Sequence, residues 1–197
     1  KYGTPLKLSY LPKISERIQF AKEIFNKAIE KKKYKGNYVY CYCTKSSHFE
    51  FVLDEALKND IHLETSSAFD IHIIQKLLDK GKLDKNTYVI CNGFKREKYK
   101  ENIALLLNDG FNNCIPILDN LNELDYYKEH VKERFQVGIR VASDEEPNFS
   151  FYTSRLGIRY GDIVDYYKKE IKDSEVTSLK MLHFFINTGI KDTAYYW

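Results

Sequence analysis

Tyr88-Val89-Ile90-Cys91, a helical stretch carrying Tyr99, Ile103 and Leu107 as far as Gly110, and then Ile115-Pro116-Ile117-Leu118 form the segment on which the fold turns. The two outer runs are short and uncharged, whereas the apolar residues between them recur four apart, which is helix spacing. Gly110 supplies the stop. Strands without apolar–polar alternation are buried on both faces, as in parallel sheets covered by helices. Residues 88–118 therefore read as strand, helix, strand: one parallel crossover.

The same alternation extends in both directions. Upstream, Ser67 with Asp70 three residues on resembles a capping box and opens a helix closed by Gly81. His62-Leu63-Glu64-Thr65 is a strand candidate. Phe49, Val52, Leu53, Ala56 and Leu57 mark a helix beginning near Ser47, and Tyr38 to Cys43 is a strand-type run. A longer amphipathic helix follows Pro12, with Ile14, Ile18, Ala21, Phe25, Ala28 and Ile29 on its apolar face, and ends before Lys35-Gly36. Downstream, Asn120 with Glu123 is read as the cap of a helix carrying Leu124, Tyr127 and Val131. Val137 to Val141 is a strand, Ser143 to Ser154 a polar excursion, Gly161–Lys169 a helix, and Leu179 to Phe185 a final strand.

Strand starts near 38, 61, 88, 115, 137 and 179 leave two closed architectures, a doubly wound sheet and a (β/α)8 barrel. A doubly wound sheet that binds a nucleotide carries glycines in its first turn, but that turn here is Thr44-Lys45-Ser46-Ser47. The expectation is an α/β TIM barrel, incomplete at about six βα units of a design that usually takes about 250 residues. The chain opens on Lys1 and closes on Tyr195-Tyr196-Trp197, so it is expected to be part of a longer polypeptide.

Composition narrows the function classes. The 197 residues are 43% hydrophobic and 30% charged, which argues against disorder, collagen and coiled coil. No apolar run reaches the roughly 18 residues of a membrane span, and a cytoplasmic protein with no membrane partner is expected. Basic residues exceed acidic ones by only three, 31 against 28, which gives no support for a nucleic-acid partner. Cys41, Cys43, Cys91 and Cys114 lie in apolar strands and read as small hydrophobes. The five histidines are dispersed, and no metal site is expected.

Chemistry in parallel α/β folds collects at the carboxyl ends of strands. Those ends hold Lys45, then Glu64-Thr65-Ser66, Asn92 to Lys95, Asp119-Asn120, Arg140, and His183 with Phe185, Asn187 and Thr188. A lysine just past a buried strand can be desolvated and its amine freed to attack a carbonyl; a solvated loop lysine is the plain alternative. Arg140 requires an anion, either a ligand or a structural partner such as Glu64 or Asp119. His183 and Phe185 are equally readable as core residues, and Asn92-Gly93 as a tight turn.

Several segments then resemble a known family. Tyr2-Gly3-Thr4-Pro5-Leu6, Tyr40-Cys41-Tyr42-Cys43-Thr44-Lys45-Ser46, His62-Leu63-Glu64-Thr65-Ser66-Ser67, Ile90 to Lys95, Gly138 to Asp144 with Ser154-Arg155-Leu156-Gly157, and Leu182 to Thr188 occur in order. Together they resemble the fold-type III pyridoxal-phosphate-dependent decarboxylases, the alanine-racemase-like barrels that act on ornithine, arginine and diaminopimelate. The arginine enzymes of polyamine synthesis are the nearest in pattern.

The resemblance implies that residues 1–197 form the N-terminal part of the pyridoxal 5'-phosphate-binding barrel, with the phosphate loop, pyridine-nitrogen partner and β-domain beyond Trp197. It implies Lys45 as the catalytic Schiff-base lysine, with Glu64, Arg140, His183, Phe185 and Thr188 around the cofactor, and Asn92 and Arg155 as weaker candidates. Phe185 stands where the family has a ring-stacking histidine, Asn187 where it has a glycine and Thr188 where it has a serine. An amino-acid substrate and a homodimer or larger homo-oligomer are implied as well. Diaminopimelate or ornithine decarboxylation, amino-acid racemisation on the same barrel, and a non-catalytic cofactor-binding barrel fragment are the alternatives; the racemase's partner tyrosine is not found here.

Overall fold

The computed structural model describes residues 2–142 and 156–185. Its elements are α1 (Pro12–Lys32), β1 (Cys41–Cys43), α2 (Glu50–Leu57), β2 (His62–Thr65), α3 (Ala68–Asp79), β3 (Val89–Cys91), α4 (Glu97–Asn108), β4 (Cys114–Leu118), α5 (Glu123–His130), β5 (Phe135–Arg140), α6 (Tyr160–Glu170) and β6 (Thr177–His183). The strands follow one another in sequence order, β1-β2-β3-β4-β5-β6. A doubly wound sheet reverses its order at a switch point, whereas consecutive order is that of barrel strands. The incomplete barrel expected from the sequence is the architecture found. By compactness the chain divides into two units, Lys1–Val89 and Ile90–Trp197.

In the first unit β1 and β2 are parallel, with Cys41 opposite His62 and Cys43 opposite Glu64. The strand expected from Tyr38 is shortened to Cys41–Cys43, and its partner β2 begins at His62, two residues after Asp60, which is left-handed at φ 48°. The β1 residues are half-buried rather than enclosed. Helix α1 docks through buried Ile18 and through Asn59, whose amide donates to Ser15 Oγ at 2.9 Å and whose carbonyl oxygen accepts from Gln19 Nε2 at 2.9 Å. Helix α2 begins three residues later than expected, at Glu50, with no side-chain cap. Ser67 does cap α3 by accepting from the Asp70 N–H. The returning half of the box is displaced by one residue, since the Asp70 carboxylate accepts from the Ser66 N–H at 2.8 Å.

The second unit holds the enclosed strands. Every residue of β4 is buried, and the core around it includes Tyr127, Phe111, Phe135, Ile103 and Leu107. Pro116 lacks an N–H, and the β4–β5 register begins just beyond it, with Ile117 opposite Gly138. The register of β5 against β6 slips between Val137 and Gly138. A Cβ on Gly138 would lie 2.3 Å from the end of the Ile117 side chain, which would have to move to admit it. The final strand begins at Thr177 and ends at His183, two residues earlier than expected at both ends. It alternates in exposure, and Phe184 and Phe185 beyond it are both exposed, which overturns their reading as core residues. The polar excursion from Ser143 to Ser154 lies wholly outside the described residues, as do Asn187 and Thr188.

One histidine fastens two strands of the first unit. The Tyr88 N–H donates to His62 Nδ1 at 2.9 Å, so the ring must be neutral at that nitrogen. Burial holds its pKa below the ordinary 6.5. A histidine depressed in the fold stabilises it above pH 6.5, and that contribution is lost as the pH falls through the lower folded value. Thermal midpoints measured from pH 7.5 to 5.5 should therefore fall more steeply for the wild-type chain than for His62→Gln.

Candidate active site

The candidate residues of the first unit sit where β1 and β2 end. Buried Thr44 donates twice to the Glu64 carbonyl, from its N–H at 2.9 Å and its hydroxyl at 3.0 Å. The chain then turns, with the Ser46 N–H donating to the Cys43 carbonyl at 3.0 Å, and this turn leaves Lys45 exposed. Of the two readings open from the sequence, the solvated loop lysine is the one found; the Lys45 amine makes no hydrogen bond or ion pair among the described residues. Glu64 is half-buried and stands opposite Cys43 in the β1–β2 pairing. Burial, aided by the Glu64 charge, pushes the Cys41 thiol up to about 11, and burial raises Cys43 as well. Both therefore remain neutral thiols at physiological pH.

The second unit gathers more than the sequence reading assigned to it. Gly93 turns the chain after β3 with φ 87°, and Lys95 folds back so that its side chain is fully buried. Its amine donates to the Gly93 carbonyl at 2.9 Å, to the Ile117 carbonyl, and to Glu123 Oε2 at 3.2 Å. Asp119 Oδ2 lies 3.7 Å away. Glu123 is not the partner of an Asn120 cap: Asn122 holds the N-cap position without a side-chain bond. Glu123 instead reaches back to accept the Asp119 N–H at 3.1 Å, while its Oε1 accepts from Asn120 at 3.2 Å. Burial raises its pKa, while the Lys95 cation and the Asp119 N–H pull it back down.

Arg140 closes this cluster. Its Nη1 donates to Asn92 Oδ1 at 3.3 Å and lies 3.9 Å from Asp119 Oδ1. Of the two structural partners considered from the sequence, Asp119 is the one beside it. Its Nε and Nη2 meet no partner among the described residues. Arg140 is the register partner of His183, whose carbonyl accepts the Val141 N–H at 2.7 Å. The Gly157 N–H donates to the Asp119 carbonyl at 3.1 Å and the Ile158 N–H to the Arg140 carbonyl at 2.7 Å. A Cβ at Gly157 would lie 2.7 Å from the Ala142 nitrogen and 2.9 Å from the Arg140 oxygen, so the clasp requires glycine, here at φ 105°. Thus Asn92, Asp119, Arg140 and His183 are neighbours, Phe185 follows exposed, and Thr188 and Arg155 lie outside the described residues.

Taken separately, Lys45 in the first unit offers a primary amine, a group that condenses with carbonyls, and Arg140 in the second offers a guanidinium, a group that pairs with anions.

In fold the chain is similar to the fold-type III pyridoxal-phosphate-dependent decarboxylases. Its sequence likeness is to the biosynthetic arginine decarboxylases: it is 25% identical to arginine decarboxylase 2 of Synechocystis over 98% of this chain and 32% of that protein. The chain spans about a third of the length of such curated relatives. Among solved structures it superposes on the diaminopimelate decarboxylase of M. jannaschii with TM-score 0.76 and 17% identity, covering 99% of this chain and 45% of that one. Against the biosynthetic arginine decarboxylase of Campylobacter jejuni the TM-score is 0.63 at 21% identity, covering 88% and 28%. No family model matches the chain. No helix among the described residues is long and apolar enough to cross a membrane.

The Lys95 cluster escaped the sequence reading because its parts come from the turn after β3, from β4, from the loop after β4 and from α5, although Lys95 and Asp119 both stand at strand ends. Removing the cation leaves two carboxylates facing one another in the core, a change that typically costs about 3–5 kcal/mol. Urea unfolding of Lys95→Met should show a loss of that order. Lys95→Met/Glu123→Gln should recover a large part of it, because one of the orphaned charges is then gone.

Proposed function

We propose that the chain is the N-terminal part of the cofactor-binding barrel of a pyridoxal-phosphate-dependent decarboxylase, acting on a basic amino acid, arginine first, and supplying polyamine synthesis. The observation that carries the reading is Lys45: an unpaired, exposed amine just past β1, in a chain whose curated relatives are arginine decarboxylases over nearly its whole length. When bound, pyridoxal 5'-phosphate supplies an electron sink for the pair released as the carbon–carboxylate bond breaks.

The chain's own residues do the holding. Lys45 would hold the cofactor through its amine. Arg140 turns its free guanidinium edge to the cofactor's negative charge, kept in place by Asn92 at 3.3 Å. Glu64 stands beside the cofactor, His183 lines the pocket, Phe185 offers an aromatic face for stacking, and Thr188 donates or accepts a hydrogen bond. The working enzyme is a cytoplasmic homodimer or larger homo-oligomer.

Protein expressed from the complete reading frame should develop an absorbance band at the edge of the visible on addition of pyridoxal 5'-phosphate, and Lys45→Ala should abolish it. A wild-type protein without the band overturns the reading. Carbon dioxide release from arginine, ornithine, lysine and diaminopimelate then assigns the substrate, with arginine expected to be fastest.

A further inference from the structure

Asn92-Gly93, just past β3, is the only Asn-Gly pair in the chain, and the second unit surrounds it with groups that favour a reaction needing only water. An asparagine followed by glycine can close on itself, the glycine nitrogen attacking the side-chain amide carbon, because no side chain crowds that nitrogen. The nucleophile is available here. The Gly93 N–H donates to no atom among the described residues, so releasing it breaks no hydrogen bond. Its peptide carbonyl, that of Asn92, accepts from the hydroxyl of Tyr99 at 3.3 Å. A donor on that oxygen draws electron density from the amide and makes its N–H easier to lose.

The electrophile is prepared as well. Arg140 Nη1 donates to Asn92 Oδ1 at 3.3 Å, and this is the oxygen on which negative charge gathers when the side-chain carbon is attacked. A cationic donor already aimed at developing charge does what an oxyanion hole does. The frame around the pair is held too, since the Gly93 carbonyl accepts from buried Lys95 at 2.9 Å. Asn92 and Gly93 are nonetheless only half-buried, and Phe94 beside them is exposed, so water reaches the turn.

We propose that Asn92 is a site of spontaneous deamidation in the folded protein, promoted by Arg140 and Tyr99. The Gly93 nitrogen gives its proton to water or hydroxide and bonds to Asn92 Cγ. The Cγ–Nδ2 bond breaks, and Nδ2 leaves as ammonia with a proton taken from the solvent. The five-membered imide so formed takes up one water and opens at either carbonyl, giving aspartate or isoaspartate. One water enters, one ammonia leaves, and nothing is oxidised or reduced. The product puts a carboxylate where Arg140 had a neutral acceptor, so that the guanidinium lies between this new charge and Asp119, 3.9 Å away. The reaction runs whether or not a cofactor binds.

The test ages protein from the complete reading frame in warm, mildly alkaline buffer, with and without urea, and follows the Asn92 peptide by mass spectrometry. Wild-type Asn92 should deamidate in the fold at least as fast as in urea. Arg140→Met removes the donor to Oδ1, and Tyr99→Phe removes the donor to the peptide carbonyl. Each should slow the reaction in the native protein at least threefold and leave the rate in urea unchanged. A glycine neighbour acting alone would give the wild-type protein and both variants the same native rate. That result, or a native wild-type rate below the rate in urea, overturns the proposal. Circular dichroism identifies a variant that does not fold, in which case the other variant decides; the wild-type comparison needs neither.

Discussion

A lysine ammonium with no exposed side-chain surface is the constraint around which the second unit is arranged. Desolvating such a charge is costly, and the cost is offset only when oxygen atoms replace the lost water. Two backbone carbonyls and Glu123 do so for Lys95, with Asp119 adding its charge at 3.7 Å. Those oxygens come from the turn after β3, from β4, from the loop after β4 and from the first turn of α5. Meeting the needs of one cation therefore fixes the relative placement of four consecutive pieces of chain. The same loop that carries Asp119 receives the Gly157 N–H, which brings the chain entering α6 onto the ends of β4 and β5.

Arg140 inherits its environment from that arrangement. Its strand position is set by the β5–β6 register, and its carbonyl is held by Ile158. Its side chain donates to Asn92 at 3.3 Å and lies 3.9 Å from the Asp119 carboxylate. Lys45 is served differently. Its backbone follows Thr44, which is buried and doubly bonded to the Glu64 carbonyl, whereas its amine is left to the solvent.

Much of this was legible in the sequence, and the reasons differ by residue. The uncharged runs Ile115 to Leu118 and Val137 to Val141 identified enclosed strands because burial on both faces excludes charge. The outer runs misled for the same reason: Tyr38 to Tyr40 and Phe184-Phe185 are just as apolar, but pairing with a neighbour, not hydrophobicity, decides where a strand stops. Ser67 and Asp70 were correctly read as a cap because the interaction is local. Asn120 and Glu123 show the same spacing, but the pull of buried Lys95, 28 residues away in sequence, turns the glutamate toward the core. Lys45 and Arg140 were visible as strand-end residues; the buried company of Arg140, assembled from separate loops, was not.

Lys45 and Lys95 occupy comparable places, each a short step past the end of a parallel strand, and the fold gives them opposite fates. The Lys95 nitrogen donates to the Gly93 and Ile117 carbonyls and to Glu123, in a side chain with no exposed surface, so it is closed to an electrophile. The Lys45 nitrogen has no such escort. Two residues of the same type, in equivalent positions, are thereby sorted into a structural ion and an amine open to acylation or condensation, and the sorting is done by neighbours that themselves never meet a substrate.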